Sequence, residues 1–412
     1  MNIKQKKNIC VVGLGYVGLP LACAFASKGY CVKGYDNNAD RIEELNSFKD
    51  VTGEVHSNKL KELQSSLQFT NDETCIKDFD IVIISVPTPI KVDNTPDLGP
   101  LIEATKKISK HIKIGTVIVY ESTVFPGATE EVCVPIIEST SNMRLNSDFF
   151  VGYSPERINP GDKLNKLENI KKVISASDKK TLKLLEIVYG DIIDAGLHLA
   201  KSIKIAEASK ITENIQRDVN IALVNELHQI FNLMGIETEE VIEAASTKWN
   251  FMKVFPGLVG GHCIGVDPHY MIYKSTGHGY VPNLMRNARE VNEGMATWAV
   301  NNFLQFCQVN AINLNRVSVT IFGYTFKKNC SDTRNTKIDQ VISFLDKLNI
   351  SFSIWDPWIK DKDISILKSR GYDVLISPPQ EIEVGFLCVK HDDIVDHVQN
   401  LTAPIFDFTQ IN

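Results

Sequence analysis

Cys263 stands in a stretch dense in glycine, Gly257-Leu258-Val259-Gly260-Gly261-His262-Cys263-Ile264-Gly265-Val266-Asp267-Pro268-His269. A histidine precedes the thiol and an aspartate follows it four residues later. Glycine-rich backbone permits close approach to a ligand and tight turns. A thiol on such a loop is exposed at a cleft, and its thiolate attacks electrophilic carbon. The plainer alternative is a surface loop carrying an inert cysteine, so the rest of the chain has to decide between them.

A second constellation lies near the start: Gly13-Leu14-Gly15-Tyr16-Val17-Gly18, with Asp36 18 residues after the last glycine. It sits between an apolar run at 8–12 and a helical stretch at 19–28, and a second apolar run, 31–35, ends at Asp36. Strand, glycine turn, helix and acidic residue together specify a dinucleotide site. The turn, with Tyr16 and Val17, brings a pyrophosphate to the helix N-terminus, and Asp36 accepts from the ribose hydroxyls. Its charge repels a 2′-phosphate, which favours NAD over NADP, although Arg41 nearby works against that preference.

These residues need a sheet to hold them. Further strands are expected at 80–86, ending at Pro87-Thr88-Pro89, at 116–120, ending at Glu121-Ser122-Thr123, and at 149–153. The last leads into Ser154-Pro155-Glu156-Arg157-Ile158-Asn159-Pro160-Gly161. All three polar clusters follow strand C-termini, where open α/β sheets bind ligands. From 201 to 234 there is neither glycine nor proline, and Ile211, Ile215, Val219, Leu223, Leu227 and Ile230 form a helical apolar stripe. Glu207, Lys210 and Asn214 share another face of that helix. Residues 284–306 read as a second long helix carrying Arg286, Arg289 and Asn292. A further α/β unit follows, with strands at 317–322, 350–355, 374–376 and 385–389 and a helix beyond Asn335, but without the phosphate-binding glycines. The expected fold is α/β: two Rossmann-like, doubly wound domains (1–200 and 310–412) joined by a long central helix and a helical middle domain (201–309).

Composition limits the function classes. A chain of 412 residues exceeds one ordinary core. A formal charge of −6 leaves no electrostatic footprint for nucleic acid. The nine cysteines include no C-x-x-C pair, which signals neither structural zinc nor a disulfide framework and fits a reducing cytoplasm. The lysines before the first apolar run imitate a signal peptide, but that reading leaves the glycine spacing and the following strand unexplained. No apolar run approaches the roughly 20 residues needed to span a bilayer.

Taken together, Gly13-x-Gly15-x-x-Gly18, Ser122-Thr123, Ser154-Pro155-Glu156, Glu207-Ala208-x-Lys210-x-x-Glu213-Asn214, Gly260-Gly261-His262-Cys263 and Phe326-Lys327…Asp332-Thr333-Arg334 resemble the nucleotide-sugar 6-dehydrogenases. The resemblance covers essentially the whole chain. His262 before the cysteine, Val266-Asp267-Pro268 after it and the Thr325–Thr336 segment are similar to the branch that oxidises UDP-N-acetylhexosamines. UDP-glucose enzymes usually have Ser before the cysteine and Lys-Asp after it. Lys328 and Ser331 depart from the usual Glu and Pro, and His269 from a usual aromatic. Phe406-Asp407-Phe408 lacks an arginine common near the uridine site of UDP-glucose enzymes.

The resemblance implies a cytoplasmic homodimer, paired through the central helix, that takes a UDP-sugar and NAD and supplies surface-polysaccharide precursors. It also implies a four-electron oxidation of the sugar CH₂OH to a carboxylate, in which Cys263 forms a thiohemiacetal and then a thioester. In that scheme Lys210 and Asn214 stabilise developing oxyanions. Asp267 orients Lys210 or a water, Thr123 positions water, and Glu156 or that water relays protons. The cofactor set adds Pro87, Thr88, Ser122 and Arg334. The substrate set is Glu156, Arg157, Lys210, Asn214, Phe255, Gly257, Gly260, His262, Arg289 and Lys327, for UDP-GlcNAc or UDP-GalNAc, with UDP-glucose and UDP-ManNAc as alternatives. Two readings from other classes compete. A zinc alcohol dehydrogenase would use Cys263, His262, Asp267 and His269, but ligands adjacent on one loop make poor tetrahedral geometry. A non-enzymatic NAD sensor leaves the cysteine, lysine and asparagine unexplained.

Overall fold

The computed structural model describes residues 6–158 and 166–410. It divides into two compact units, 1–213 with 269–279, and 214–268 with 280–412. The first is built on an eight-stranded sheet: β1 (Ile9–Val12), β2 (Val32–Tyr35), β3 (Leu67–Thr70), β4 (Ile81–Ile84), β5 (Val117–Tyr120), β6 (Phe150–Tyr153), β7 (Lys172–Ala176) and β8 (Leu197–Leu199). The spatial order is β3-β2-β1-β4-β5-β6-β7-β8. All neighbours are parallel except β6 and β7, which pair Gly152 with Ala176 and Tyr153 with Ser175 in antiparallel register. Strands β1, β4 and β5 are buried throughout, as their Val- and Ile-rich sequences require of strands covered on both faces. The order reverses between β1 and β4, which makes the crevice beyond β1 the switch point at which such sheets bind ligands. The run that imitates a signal peptide is divided by the glycine turn into β1 and the helix Gly18–Ser27.

The second unit holds a five-stranded parallel sheet: β9 (Val319–Phe322), β10 (Phe352–Trp355), β11 (Asp373–Leu375), β12 (Val384–Leu387) and β13 (Ile405–Asp407), in the order β11-β10-β9-β12-β13. The helix Asn283–Val309 buries Met295, Ala299, Val300 and Phe303 in the core of this sheet, and Phe303 stacks on Phe386 at 4.8 Å between ring centroids. The helix Ile203–Met234 is continuous over 32 residues, about 48 Å, and runs from one unit into the other. The two Rossmann-like sheets, the long helix and the helical middle region match the expected fold class.

The end of this helix is tied to the end of the second sheet by a buried imidazole. His228 accepts at Nδ1 from the Thr238 hydroxyl and donates from Nε2 to the Phe408 carbonyl, each at 2.7 Å, with Trp298 edge-on against the ring. Burial lowers the His228 pKa from its ordinary value, because the charged ring has no water around it. The unfolded chain therefore binds this proton more readily than the folded one. The stability contributed by neutral His228 is present above about pH 6.5 and declines as pH falls through the folded pKa. We expect His228→Gln to cost on the order of 1–2 kcal/mol at pH 7.5 and to flatten the loss of stability between pH 7 and pH 5. Denaturant unfolding at several pH values measures both effects; an unchanged slope in the variant would contradict the assignment.

Candidate active site

The glycine turn after β1 is built for close approach. Gly13 adopts φ +88°, and a Cβ on Gly18 would lie 1.8 Å from the Gly13 carbonyl oxygen. Gly15 is exposed and faces open space, Tyr16 is half-buried, and Val17 directly precedes a helix whose first turn carries no acidic residue. That helix end offers backbone N–H groups to an anion without competition from a carboxylate. Asp36, directly after β2, accepts from Leu14 N at 2.8 Å through Oδ2 and from Asn38 N at 2.9 Å through Oδ1. A cavity of about 600 Å³ opens here, lined by Gly13, Asp36, Val86, Pro87, Glu103 and Lys107 among others. The turn, the bare helix end and a carboxylate at the cavity wall fit a dinucleotide.

Arg41 does not line that cavity as a free cation. It is 8% exposed, and its guanidinium donates to the Leu14 carbonyl and pairs with Glu44 and Asp50, each at 2.8–2.9 Å. Its guanidinium braces the glycine turn, and its charge is matched by two carboxylates. The other expected cofactor residues of this unit lie at strand ends. Ser122 donates to Val86 O, Thr88 donates to Thr123 O (each 2.6 Å), Thr123 is half-buried and Pro87 is exposed. Tyr270, seven residues after Cys263, donates to the Thr88 carbonyl at 2.7 Å.

After β6, Glu156 is half-buried. Its Oε1 accepts from Arg157 N and Ile158 N at 2.6 Å each, and its Oε2 lies 3.5 Å from Lys172 Nζ. Arg157 pairs with Glu213 at 2.8 Å. Asn159, Pro160 and Gly161 lie outside the described residues. On the long helix, Glu207 is wholly buried and holds the backbone N–H groups of Gly127 and Thr129. Lys210 is 8% exposed and makes no side-chain hydrogen bond or ion pair among the described residues. One turn on, Asn214 donates from Nδ2 to Asp267 Oδ2 at 2.5 Å. The Asp267 carboxylate thus reaches the helix through the Asn214 amide.

Cys263 is exposed, and its carbonyl accepts from Val266 N and Asp267 N, which closes the turn beneath it. The loop is held from outside. The Asn225 side-chain amide accepts from Gly257 N at 2.9 Å and donates to Gly257 O at 3.1 Å. Asn225 also donates to Asn292, which in turn donates to Asp218, the partner of Arg289 at 2.6 Å. Arg289 is 3% exposed and also pairs with Glu293. It therefore supports the loop from below, with its guanidinium held by two carboxylates. At the other end, a Cβ on Gly260 would lie 2.8 Å from the Asn335 carbonyl and one on Gly261 2.9 Å from the Phe326 ring. Those two glycines let the loop rest on the 325–336 segment. His262 is exposed at the surface, yet crowding by the chain and then the Arg334 charge push its pKa down to about 4, so the imidazole is neutral at pH 7. Arg334 forks onto Asp332 at 2.9 and 2.7 Å, Lys327 lies over the Phe326 ring, and Phe255 is exposed. Among the described residues, no group of three or more His, Cys, Asp or Glu is arranged to hold a metal ion.

Sequence reasoning missed Lys172, Asp218 and Asn225. Lys172 opens β7, Asp218 and Asn225 lie on the long helix, and no motif spacing marks any of them.

Family models match three consecutive parts of the chain: the NAD binding domain at residues 7–193, the central domain at 204–294 and the UDP binding domain at 320–408 of the UDP-glucose/GDP-mannose dehydrogenase family. The chain belongs to this family. It is an NAD-dependent nucleotide-sugar dehydrogenase, as the glycine turn and Asp36 imply. It is 49% identical over 355 residues to a UDP-N-acetyl-D-glucosamine 6-dehydrogenase of Pseudomonas aeruginosa, covering 86% of this chain and 84% of that protein. It is 48% identical over 377 residues to the protein of the same name from Salmonella typhi, covering 89% and 88%. The fold superposes on a UDP-D-ManNAc dehydrogenase of Pyrococcus horikoshii with a TM-score of 0.85 at 27% identity, over 96% of this chain and 93% of that one.

Asp36 both faces the cofactor cavity and fastens the turn, which Asp36→Asn separates: the amide keeps an oxygen for Leu14 N but loses the charge. We expect NAD⁺ affinity to fall roughly ten- to hundredfold, the value of a charged hydrogen bond, while discrimination against NADP⁺ narrows. Fluorescence titration with both cofactors checks this; an unchanged NAD⁺/NADP⁺ ratio would refute the role.

Proposed function

We propose that this enzyme oxidises the C6 hydroxymethyl group of a UDP-N-acetylhexosamine, UDP-GlcNAc or UDP-GalNAc, to the uronic acid through an acyl group on Cys263. The observation that carries the reading is the exposed Cys263 thiol on a loop fixed from both sides, beside the Asn214–Asp267 pair. Identity of nearly half to the two UDP-N-acetyl-D-glucosamine 6-dehydrogenases supports the acetylated sugar. When bound, NAD⁺ accepts the hydride in each of two oxidation steps. The chain supplies the rest. The Cys263 sulfur adds to the C6 aldehyde as a thiohemiacetal, and loss of its C6 hydrogen as hydride and its hydroxyl proton leaves a thioester. Water then cleaves the C–S bond, returning the thiol and giving the carboxylate, so each sugar consumes one water and two NAD⁺.

Lys210 and Asn214 are the donors for the oxyanions that form at C6, with Asp267 fixing the Asn214 amide. Glu156 takes the proton from the hydrolytic water, Thr123 positions that water, and Arg157, Phe255, Gly257, Gly260, His262 and Lys327 line the sugar-nucleotide path. Arg334 meets the cofactor. In this scheme residues 1–200 bind NAD, 201–309 carry the cysteine loop and 310–412 bind the nucleotide.

Cys263→Ala should bind both ligands with near-normal affinity while uronate formation falls by orders of magnitude. Cys263→Ser, whose alkoxide leaves poorly, should accumulate an ester seen as added mass on the peptide containing residue 263. Full uronate formation by Cys263→Ala would overturn the mechanism. In a UDP-sugar panel, a higher kcat/KM for UDP-glucose or UDP-ManNAc than for both UDP-GlcNAc and UDP-GalNAc would overturn the substrate.

The long helix also supports a homodimer. Its apolar stripe is buried at Ile211 but open at Leu223 and Ile230, which are 53% and 45% exposed, and Leu233 beyond them is 89% exposed. Apolar residues in line on one helix find cover most simply in their own symmetry mates. Light scattering at micromolar concentration should give twice the chain mass, and Leu223→Asp with Ile230→Asp should give the monomer. A monomeric parent protein would refute the dimer.

A further inference from the structure

Lys172 opens β7 and is 3% exposed. An ammonium so placed needs anionic partners, because removal from water is costly for a lone charge. Its Nζ donates to Glu121 Oε2 at 2.9 Å and to the Pro155 carbonyl at 3.3 Å, lies 3.5 Å from Glu156 Oε2, and faces the Tyr189 ring at 5.6 Å. The second Glu121 oxygen accepts from the Tyr189 hydroxyl at 2.5 Å. One cation is thus shared between a carboxylate wholly inside the protein and one at the edge of the proposed site. Topology explains the meeting. Because β7 alone reverses against β6, its first residue comes to the sheet edge where β5 and β6 end. Continuing the register from Tyr153 opposite Ser175 places Glu156 opposite Lys172.

The other charged groups around this corner are otherwise engaged. Arg157 is turned to Glu213 on the long helix and to the Lys171 carbonyl. Among the described residues, Lys172 is the cation within ion-pair distance of Glu156. Burial alone would pull the Lys172 pKa down, but the Glu121 and Glu156 carboxylates more than offset it and hold it above the ordinary lysine value.

We propose that Lys172 is a positioning residue of the reaction: its ammonium, divided between Glu121 and Glu156, orients the Glu156 carboxylate that takes the proton from the hydrolytic water. This rests on the reading of Glu156 as the base of thioester hydrolysis. Glu121 competes for the same cation, so the two partners can be altered with opposite consequences. Glu121→Gln leaves the ammonium to Glu156 alone and strengthens that pairing. The double change Lys172→Met with Glu121→Gln removes the cation without stranding a buried carboxylate, and Glu156 then loses its charged partner.

The measurement is the pH dependence of uronate release in a single turnover of the enzyme with UDP-GlcNAc and excess NAD⁺. The acidic limb should move down by about one pH unit in Glu121→Gln and up by about one unit in the double variant. Lys172→Arg should stay near the parent, and KM for sugar and cofactor should be unchanged throughout. A merely structural lysine would lower stability without moving the limbs in opposite directions. Glu156→Gln separates the two layers: it should slow uronate release while leaving the first NADH formed per site intact. If Glu156→Gln slows release but both limbs coincide with the parent, Lys172 has no positioning role. If Glu156→Gln releases uronate normally, Glu156 is not the base and the inference falls with it. Should the double variant fail to fold, Glu121→Gln decides, a downward shift supporting the proposal and a fixed limb overturning it.

Discussion

The carboxamide of Asn225 closes on both backbone groups of Gly257, and the placement of the cysteine loop depends on that grip. A glycine-dense loop has few side chains with which to stabilise itself, and glycine loses more backbone freedom on ordering than any other residue. Its conformation must be imposed by neighbours that offer the donors and acceptors its own backbone lacks. Asn225 does this at one end as a substitute strand edge, and Asn335 and Phe326 do it at the other through steric closeness. The amide is held in its turn by Asn292, Asp218 and Arg289, all at most 3% exposed. Such a buried network stabilises only when it is nearly complete. Among the described residues, two of its atoms, Arg289 Nε and Asp218 Oδ2, have no protein partner.

The glycine turn after β1 obeys the same logic with different parts. Its backbone is open to a pyrophosphate because Asp36 and Arg41 fasten Leu14 from either side, one accepting from the N–H and the other donating to the carbonyl. The residue that suggested a cofactor contact by its charge, Arg41, is consumed in that fastening. Both sites thus follow one rule: the backbone that must stay bare is shaped by side chains that reach it from behind.

This rule also explains what could be read from the sequence. Strands β1, β4 and β5 were legible because burial on both faces demands an apolar run, and the long helix because nothing in it breaks a helix. Three outer strands of the first sheet were not: β3 and β8 are partly exposed, and β7 begins with a lysine that only a tertiary ion pair makes tolerable. Within the candidate sites, the residues singled out in advance, Cys263, Lys210, Asn214 and Asp36, each belong to a motif of local spacing. Asn225, Asp218 and Lys172 are instead defined by partners 16 to 74 residues away, and no local spacing encodes such a meeting.

The two sheets show how far one device can diverge. In the first, Val12 pairs with Tyr35, and Asp36 just beyond grips the turn that follows β1. In the second, Phe322 pairs with Trp355, and Asp356 just beyond grips Tyr324 N and Thr325 N in the turn that follows β9. The carboxylates occupy equivalent places, yet Asp36 is half-buried at a cavity wall while Asp356 is enclosed and meets His391 at 3.1 Å. Burial alone would raise the Asp356 pKa; the imidazole and the two N–H groups hold it below the usual carboxylate range instead. Asn329 N donates to His391 Nδ1, which leaves the proton on Nε2, facing Asp356 and Thr325. The second aspartate is therefore saturated by protein, and its turn carries a single glycine, Gly323, packed against Val389. A shared strand–turn–strand frame with one acid free and the other sealed is what allows a chain with two Rossmann-like halves to reserve its dinucleotide turn for the first.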